Sequence, residues 1–167
     1  MNLRVILLAL AFLLLPCGAF AQQQLAPEPL FGASLLDPAG QPASLARWRG
    51  QPLIVNFWAR WCGPCRVEIP EIITEYARAQ SVGVQIVGIA LDDKPDAVRD
   101  FAKAYDMAYP VLLVKGSNGP SLLQQLDNPQ AGLPYTLVIN RSGKIVWRKL
   151  GAMSRTELLV AISSAGK

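Results

Sequence analysis

Apolar residues in this chain follow two rhythms. Short continuous runs, Leu53 to Trp58, Val84 to Leu91 and Tyr109 to Val114, are bounded by turn residues and predict strands buried on both faces. Between them, Cys65 to Ala79 and Asp92 to Asp106 repeat their apolar positions with the helical period. Val67, Ile69, Ile72, Ile73 and Tyr76 are expected on the inward face of the first helix, which Pro70 is expected to kink. Val98, Phe101, Ala102 and Tyr105 form the inward face of the second. Ser121 to Leu126 predicts a short helix or turn. Tyr135 to Asn140 and Lys144 to Leu150 predict strands joined by the turn Arg141-Ser142-Gly143. Ser154 with Glu157 three residues on predicts a capping box for a last helix through about Ser163. Upstream, Phe31 to Leu36 and Pro42 to Trp48 flank Asp37-Pro38-Ala39-Gly40 and predict a short hairpin. Strands alternating with helices, then a hairpin and a terminal helix, imply an α/β sandwich around a mixed sheet.

The first 21 residues have a different composition. Arg4 precedes an apolar stretch from Val5 to Leu15, and Ala19 and Ala21 supply the small residues of a cleavage site. Residues 1–21 are therefore expected to be a signal peptide, 22–29 a flexible polar leader, and 30–167 the folded domain. The apolar run is shorter than the roughly 20 residues of a membrane span, so a membrane association is expected only if this segment is retained. Cleavage would remove Cys17 and leave Cys62 and Cys65 as the exported thiols. The expected location is the periplasm or an equivalent oxidising space, where disulfides persist.

The whole chain carries +4, and without Arg4 the 15 basic residues against 12 acidic ones leave +3. The basic cluster Arg141, Lys144, Arg148 and Lys149 reads as a solvated strand and turn face, so nucleic-acid binding is not expected.

The candidate chemistry lies in Trp61-Cys62-Gly63-Pro64-Cys65. A structural zinc takes about four nitrogen or sulfur ligands; three cysteines and no histidine do not supply them. A bridge closing so short a loop removes little entropy from the unfolded chain, which argues against a purely structural disulfide. A redox-active pair fits better, because the motif stands where a buried strand gives way to a helix. Cys62 at that boundary would feel the helix N–H groups that favour the thiolate, while Cys65, inside the first turn, would be shielded. Pro64 suits the first turn, where its missing N–H costs nothing.

With Asn56 to Cys65 reading NFWARWCGPC, Cys65 to Pro70 reading CRVEIP and Gly132 to Gly151 reading GLPYTLVINRSGKIVWRKLG, the chain resembles the thioredoxin superfamily, and within it the exported TlpA/ResA/DsbE-like thiol-disulfide oxidoreductases. The resemblance implies a three-layer thioredoxin-like sandwich around a mixed sheet, here with an extra N-terminal hairpin. It also implies a cis peptide between Leu133 and Pro134, in a loop that faces the disulfide and offers Leu133 backbone groups to an extended substrate peptide. Trp61, Gly63, Pro64, Leu133 and Pro134 are thus candidate substrate-binding residues, and Cys62, Cys65 and Glu68 candidate catalytic ones. Where thioredoxin has a buried aspartate this chain has Asn56, and relatives of this type offer instead a glutamate after the second cysteine, here Glu68. Glu68 is one helical turn from Cys65 and could handle its proton; the alternative is a solvated acid favoured by the helix dipole.

No cofactor or metal is implied. The expected partners are disulfides or thiols of exported proteins, with a membrane thiol carrier as electron donor and apocytochrome c among the acceptors. The Gly63-Pro64 spacer leans toward a reductant, since thioredoxin, with the same pair, stands near −270 mV against about −120 mV for the oxidant DsbA. Three alternatives remain: a disulfide oxidase or isomerase, a copper-delivery module using both thiols with Met107 or Met153, and a peroxidase sharing the fold.

Overall fold

The computed structural model describes residues 26–167, with Asp93 excepted. The signal peptide, Cys17 and the first four residues of the leader lie outside that range. A single turn of helix, α1 (Glu28–Phe31), opens the described chain and seats Leu30 and Phe31 in the core. It begins inside the stretch read as leader.

Seven strands form one sheet: β1 (Leu35–Leu36), β2 (Pro42–Ala43), β3 (Leu53–Trp58), β4 (Gln85–Ala90), β5 (Val111–Val114), β6 (Tyr135–Ile139) and β7 (Ile145–Leu150). Their spatial order is β2-β1-β5-β4-β3-β6-β7. The central β3, β4 and β5 run parallel. β6 and β7 are added antiparallel on one side, and the short β1–β2 hairpin is added antiparallel on the other. The sheet is therefore mixed, as the order of elements along the chain implies. The predicted hairpin arms are longer than the strands observed, because Leu45–Trp48 coils into a 3₁₀ turn capped by Ser44.

Helix α2 (Gly63–Ser81) runs through Pro70. α3 (Pro95–Ala104), α4 (Gly119–Gln125) and α5 (Arg155–Ala165) complete the fold. The Ser154 side chain accepts from the Glu157 amide, and the Glu157 side chain accepts from the Ser154 amide, so the capping box at the start of α5 is formed.

Successive strand residues point to opposite faces, and the sheet divides two cores accordingly. Ile54 and Trp58 of β3 face the layer of α2, α3 and α5, together with Ile69, Ile72, Val98, Leu158 and Ile162. Leu53, Val55 and Phe57 face the opposite layer, where Leu30, Leu45, Trp48, Leu122, Leu123 and Leu126 pack. This is a three-layer, thioredoxin-like sandwich. Val67 corrects the helical pattern, since it is 72% exposed whereas Ile69 and Ile72 are buried.

Candidate active site

β3 ends at Trp58, and a tight connection carries Trp61 and Cys62 to the entrance of α2. Cys62 is the N-cap of that helix: its backbone is extended, at φ −82° and ψ 105°, and its sulfur accepts from the Cys65 amide at 3.2 Å. One orphan N–H of the helix start is thus aimed at the Cys62 sulfur. Cys62 and Cys65 are joined by a disulfide, with their Cα atoms 5.3 Å apart. Cys65 is wholly buried and Cys62 almost so, while Gly63 and Pro64 are exposed and Trp61 stands 71% exposed at the rim.

The connection before Cys62 is fastened by Asp92, a buried acid just beyond β4. Its carboxylate accepts from the Arg60 amide at 2.9 Å and pairs with the Arg60 guanidinium at 3.0 Å. Periodicity places Asp92 at the start of a helix; its actual role is to tie two strand ends together.

The Leu133–Pro134 peptide is cis. Leu133 packs against the core cluster that contains both cysteines, and Pro134 is buried. Asn128, also buried, braces this loop by donating to the Gly132 carbonyl at 2.8 Å and accepting from the Gly132 amide at 3.1 Å. Asn128 escaped the sequence reading, because an asparagine before a proline signals only a turn.

Behind the disulfide, Glu68 is 1% exposed. This overturns the alternative of a solvated helix-start acid. One carboxylate oxygen accepts from Asn56 Nδ2 at 2.6 Å and the other from the Met153 amide at 2.7 Å. Asn56 Nδ2 also donates to Thr136 Oγ1 at 2.9 Å, so β3, β6, α2 and the turn before α5 meet at this carboxyl. Burial raises the Glu68 pKa above the ordinary carboxylate range; the Met153 and Asn56 hydrogen bonds and the nearby Lys149 charge oppose the rise. A carboxyl so placed exchanges protons nearer to neutrality than a free one, which suits general acid–base work on a thiol.

Trp61, Gly63, Pro64 and the cysteines therefore cluster around the start of α2, and Leu133 reaches the same packing cluster from the loop before β6. The methionines considered as copper ligands are core residues: Met153 is buried, and Met107 packs partly buried against the same cluster. Among the described residues no three His, Cys, Asp or Glu side chains gather in a way that could hold a metal ion.

A thioredoxin-like sheet with a vicinal cysteine pair capping its first long helix defines a thiol-disulfide oxidoreductase. The chain belongs to the AhpC/TSA family, which it matches over residues 24–148. It is 30% identical over 123 residues to the thiol-disulfide oxidoreductase ResA of Bacillus cereus, an alignment covering 73% of this chain and 68% of that protein. It is 35% identical over 148 residues to the thiol:disulfide interchange protein HelX of Rhodobacter capsulatus, covering 82% and 80%. A thioredoxin family thiol:disulfide interchange protein from Chlorobium tepidum has the same fold in its crystal structure. The TM-score is 0.65 at 30% identity, covering 80% of this chain and 95% of that one.

Proposed function

We propose that this protein is exported to the periplasm, with residues 1–21 as its signal peptide, and there reduces disulfides of exported proteins by cycling Cys62 and Cys65 between dithiol and disulfide. The observation that carries this reading is the asymmetry of the pair: Cys62 caps α2 at the surface side, where its sulfur already accepts a backbone N–H, and Cys65 is sealed beneath it. The Cys62 thiolate attacks one sulfur of a substrate disulfide, forming a mixed disulfide and releasing the other substrate sulfur as a thiolate. Cys65 gives up its proton, attacks the Cys62 sulfur and expels the second substrate thiolate. The substrate gains two electrons, and the protein is left with the Cys62–Cys65 bridge. The Glu68 carboxylate is the acceptor for the Cys65 proton, and it lies on the same helix three residues on.

Trp61, Gly63, Pro64, Leu133 and Pro134 form the platform for the substrate peptide, which lies extended against the backbone of Leu133. In this reading electrons return from a membrane thiol carrier and apocytochrome c is among the acceptors; the ResA and HelX relatives, named for thiol-disulfide exchange, support the exchange itself.

The direction of transfer is tested by equilibrating the pair with glutathione. A potential near that of thioredoxin, about −270 mV, is expected. A value close to the roughly −120 mV of DsbA would make the protein an oxidant. Trapping with Cys65→Ser tests the two-thiol cycle: the variant is expected to accumulate a substrate adduct on Cys62, and normal turnover by it would overturn the cycle.

A further inference from the structure

The face of the sheet beneath α2 contains more buried polarity than the proposed reaction uses. Asn56 Oδ1, Trp58 Nε1 and the Tyr109 hydroxyl are buried side-chain atoms without a hydrogen-bond partner among the described residues. All three belong to this one layer. In the parallel register Asn56 of β3 stands opposite Gly88 of β4. A Cβ at Gly88 would lie 2.9 Å from Trp58 Nε1 and 2.9 Å from Tyr109 Cε2. Glycine at this point lets an indole N–H and a phenol close over the strand beside the asparagine that holds Glu68. Tyr109 itself is 2% exposed, meets Tyr76 edge-on at 6.0 Å and packs in the cluster that includes Cys65.

A phenylalanine would fill the same space and leave no buried hydroxyl without a protein partner among the described residues. The oxygen therefore asks for a role other than packing. Burial and the Glu68 charge both push the Tyr109 pKa up, so its O–H keeps its proton throughout the physiological range and can act only as a neutral dipole and donor.

We propose that Tyr109 is a positioning residue of the redox centre: with the Trp58 N–H it turns a fixed dipole toward the Glu68 carboxylate, stabilises its charged form, and so keeps Glu68 ready to accept the Cys65 proton. This rests on the proposed proton-accepting role of Glu68. The dipole acts in a low-dielectric layer, where it needs no direct bond to be felt. Glu68 is bonded by Asn56 from β3 and by the Met153 amide from the turn before α5, and it is coupled through its charge, without a bond, to Lys149 of β7 and to Tyr109 before β5. Thr136 of β6 reaches it through Asn56, Glu157 through Lys149, and the two cysteines share its helix.

The test is Tyr109→Phe, which removes one oxygen and keeps the ring. The Glu68 carboxyl is followed by its infrared carbonyl band against pH, and the reduction potential is measured over the same range in the wild type, Tyr109→Phe and Glu68→Gln. The titration midpoint of Glu68 is expected to move up by several tenths of a pH unit in Tyr109→Phe, about half or less of what a direct hydrogen bond to a charged group would give. The break in potential against pH should move with it, while thermal stability holds or rises. In the unaltered protein, the isotope-labelled Cζ resonance of Tyr109 is expected to titrate with the Glu68 midpoint, which tests the coupling without any substitution. A Glu68 midpoint unmoved in Tyr109→Phe, or a Tyr109 resonance blind to Glu68, would overturn the role of Tyr109 alone. A break in potential against pH that stays at the same pH in Glu68→Gln would instead remove the role of Glu68 and this one with it.

Discussion

The two faces of the sheet are built from the same strands by different rules. On the side of α1 and α4, a buried tyrosine is fully served: the Tyr135 hydroxyl donates to the Leu126 carbonyl at 2.7 Å, and its ring stacks with Phe57 at 6.3 Å between centroids. Around it the layer is leucine, valine, isoleucine and aromatic rings. On the side of α2, the Tyr109 hydroxyl and the Asn56 carbonyl oxygen have no hydrogen-bond partner among the described residues, and a carboxyl is buried. Both faces carry an apolar core, and the α2 face in addition buries polar groups that, in the proposed reading, set the proton affinity of Glu68 beside a thiol. Local rules broken in one layer and obeyed in the next mark where chemistry is done.

The comparison breaks most sharply at the cysteines. Cys62→Ser is expected to abolish thiol-disulfide exchange altogether, measured with a model disulfide, while its melting temperature changes little, because the bridge closes a very short loop. On the apolar face the pattern should invert. Leu123 is wholly buried, and Leu123→Ala is expected to cost about 2–5 kcal/mol in denaturant unfolding, with the reduction potential unmoved. A changed potential there would mean that the faces are not separable.

A smaller effect concerns acid–base linkage. Because the folded-state pKa of Glu68 is raised above its unfolded value, the folded protein binds this proton more tightly than the unfolded chain. Glu68 therefore favours folding most below the ordinary carboxylate range, and this contribution is lost as pH rises through the folded-state pKa. Glu68→Gln is expected to flatten that part of the curve of unfolding free energy against pH. Unchanged curvature would place the linkage elsewhere. Glu157 runs the other way: its pKa is lowered to about 2, first by its hydrogen bond with Lys149, so its contribution is fully present above its unfolded value and is lost as pH falls from there through about 2. Glu157→Gln is expected to shift only the acid limb of unfolding, read by circular dichroism. The smallest effect is on peroxide: the reduced protein is expected to consume it no faster than a free dithiol, and rapid turnover would favour the peroxidase alternative.

The elements that carry their own local signal were legible in the chain. Leu53–Trp58 is a strand with the predicted ends, and Ser154 with Glu157 forms the predicted capping box. The cysteine motif and the proline of the later block also identify themselves by short-range pattern, and the Leu133–Pro134 peptide is cis as the family resemblance implied. What stayed hidden was relational. Val67 has the hydrophobicity of a core residue but falls on the outward side of α2. Asp92, Asn128 and Tyr109 have no spacing that announces them; Asp92 meets Arg60 from 32 residues away. Glu68 was named through the family resemblance, which offers a glutamate one turn after the second cysteine, yet its burial depends on partners on β3 and before α5, which no helical period reveals.

The Met153 amide that grips Glu68 comes 85 residues after it in the chain. A ribosome delivers the thiols first and the last strand and helix much later, so a nascent chain holds its cysteine pair before the carboxyl proposed to serve it has been locked in place. Only the completed polypeptide closes that circuit. A product cut short before Met153 would retain both sulfurs and lack the backbone clasp on Glu68.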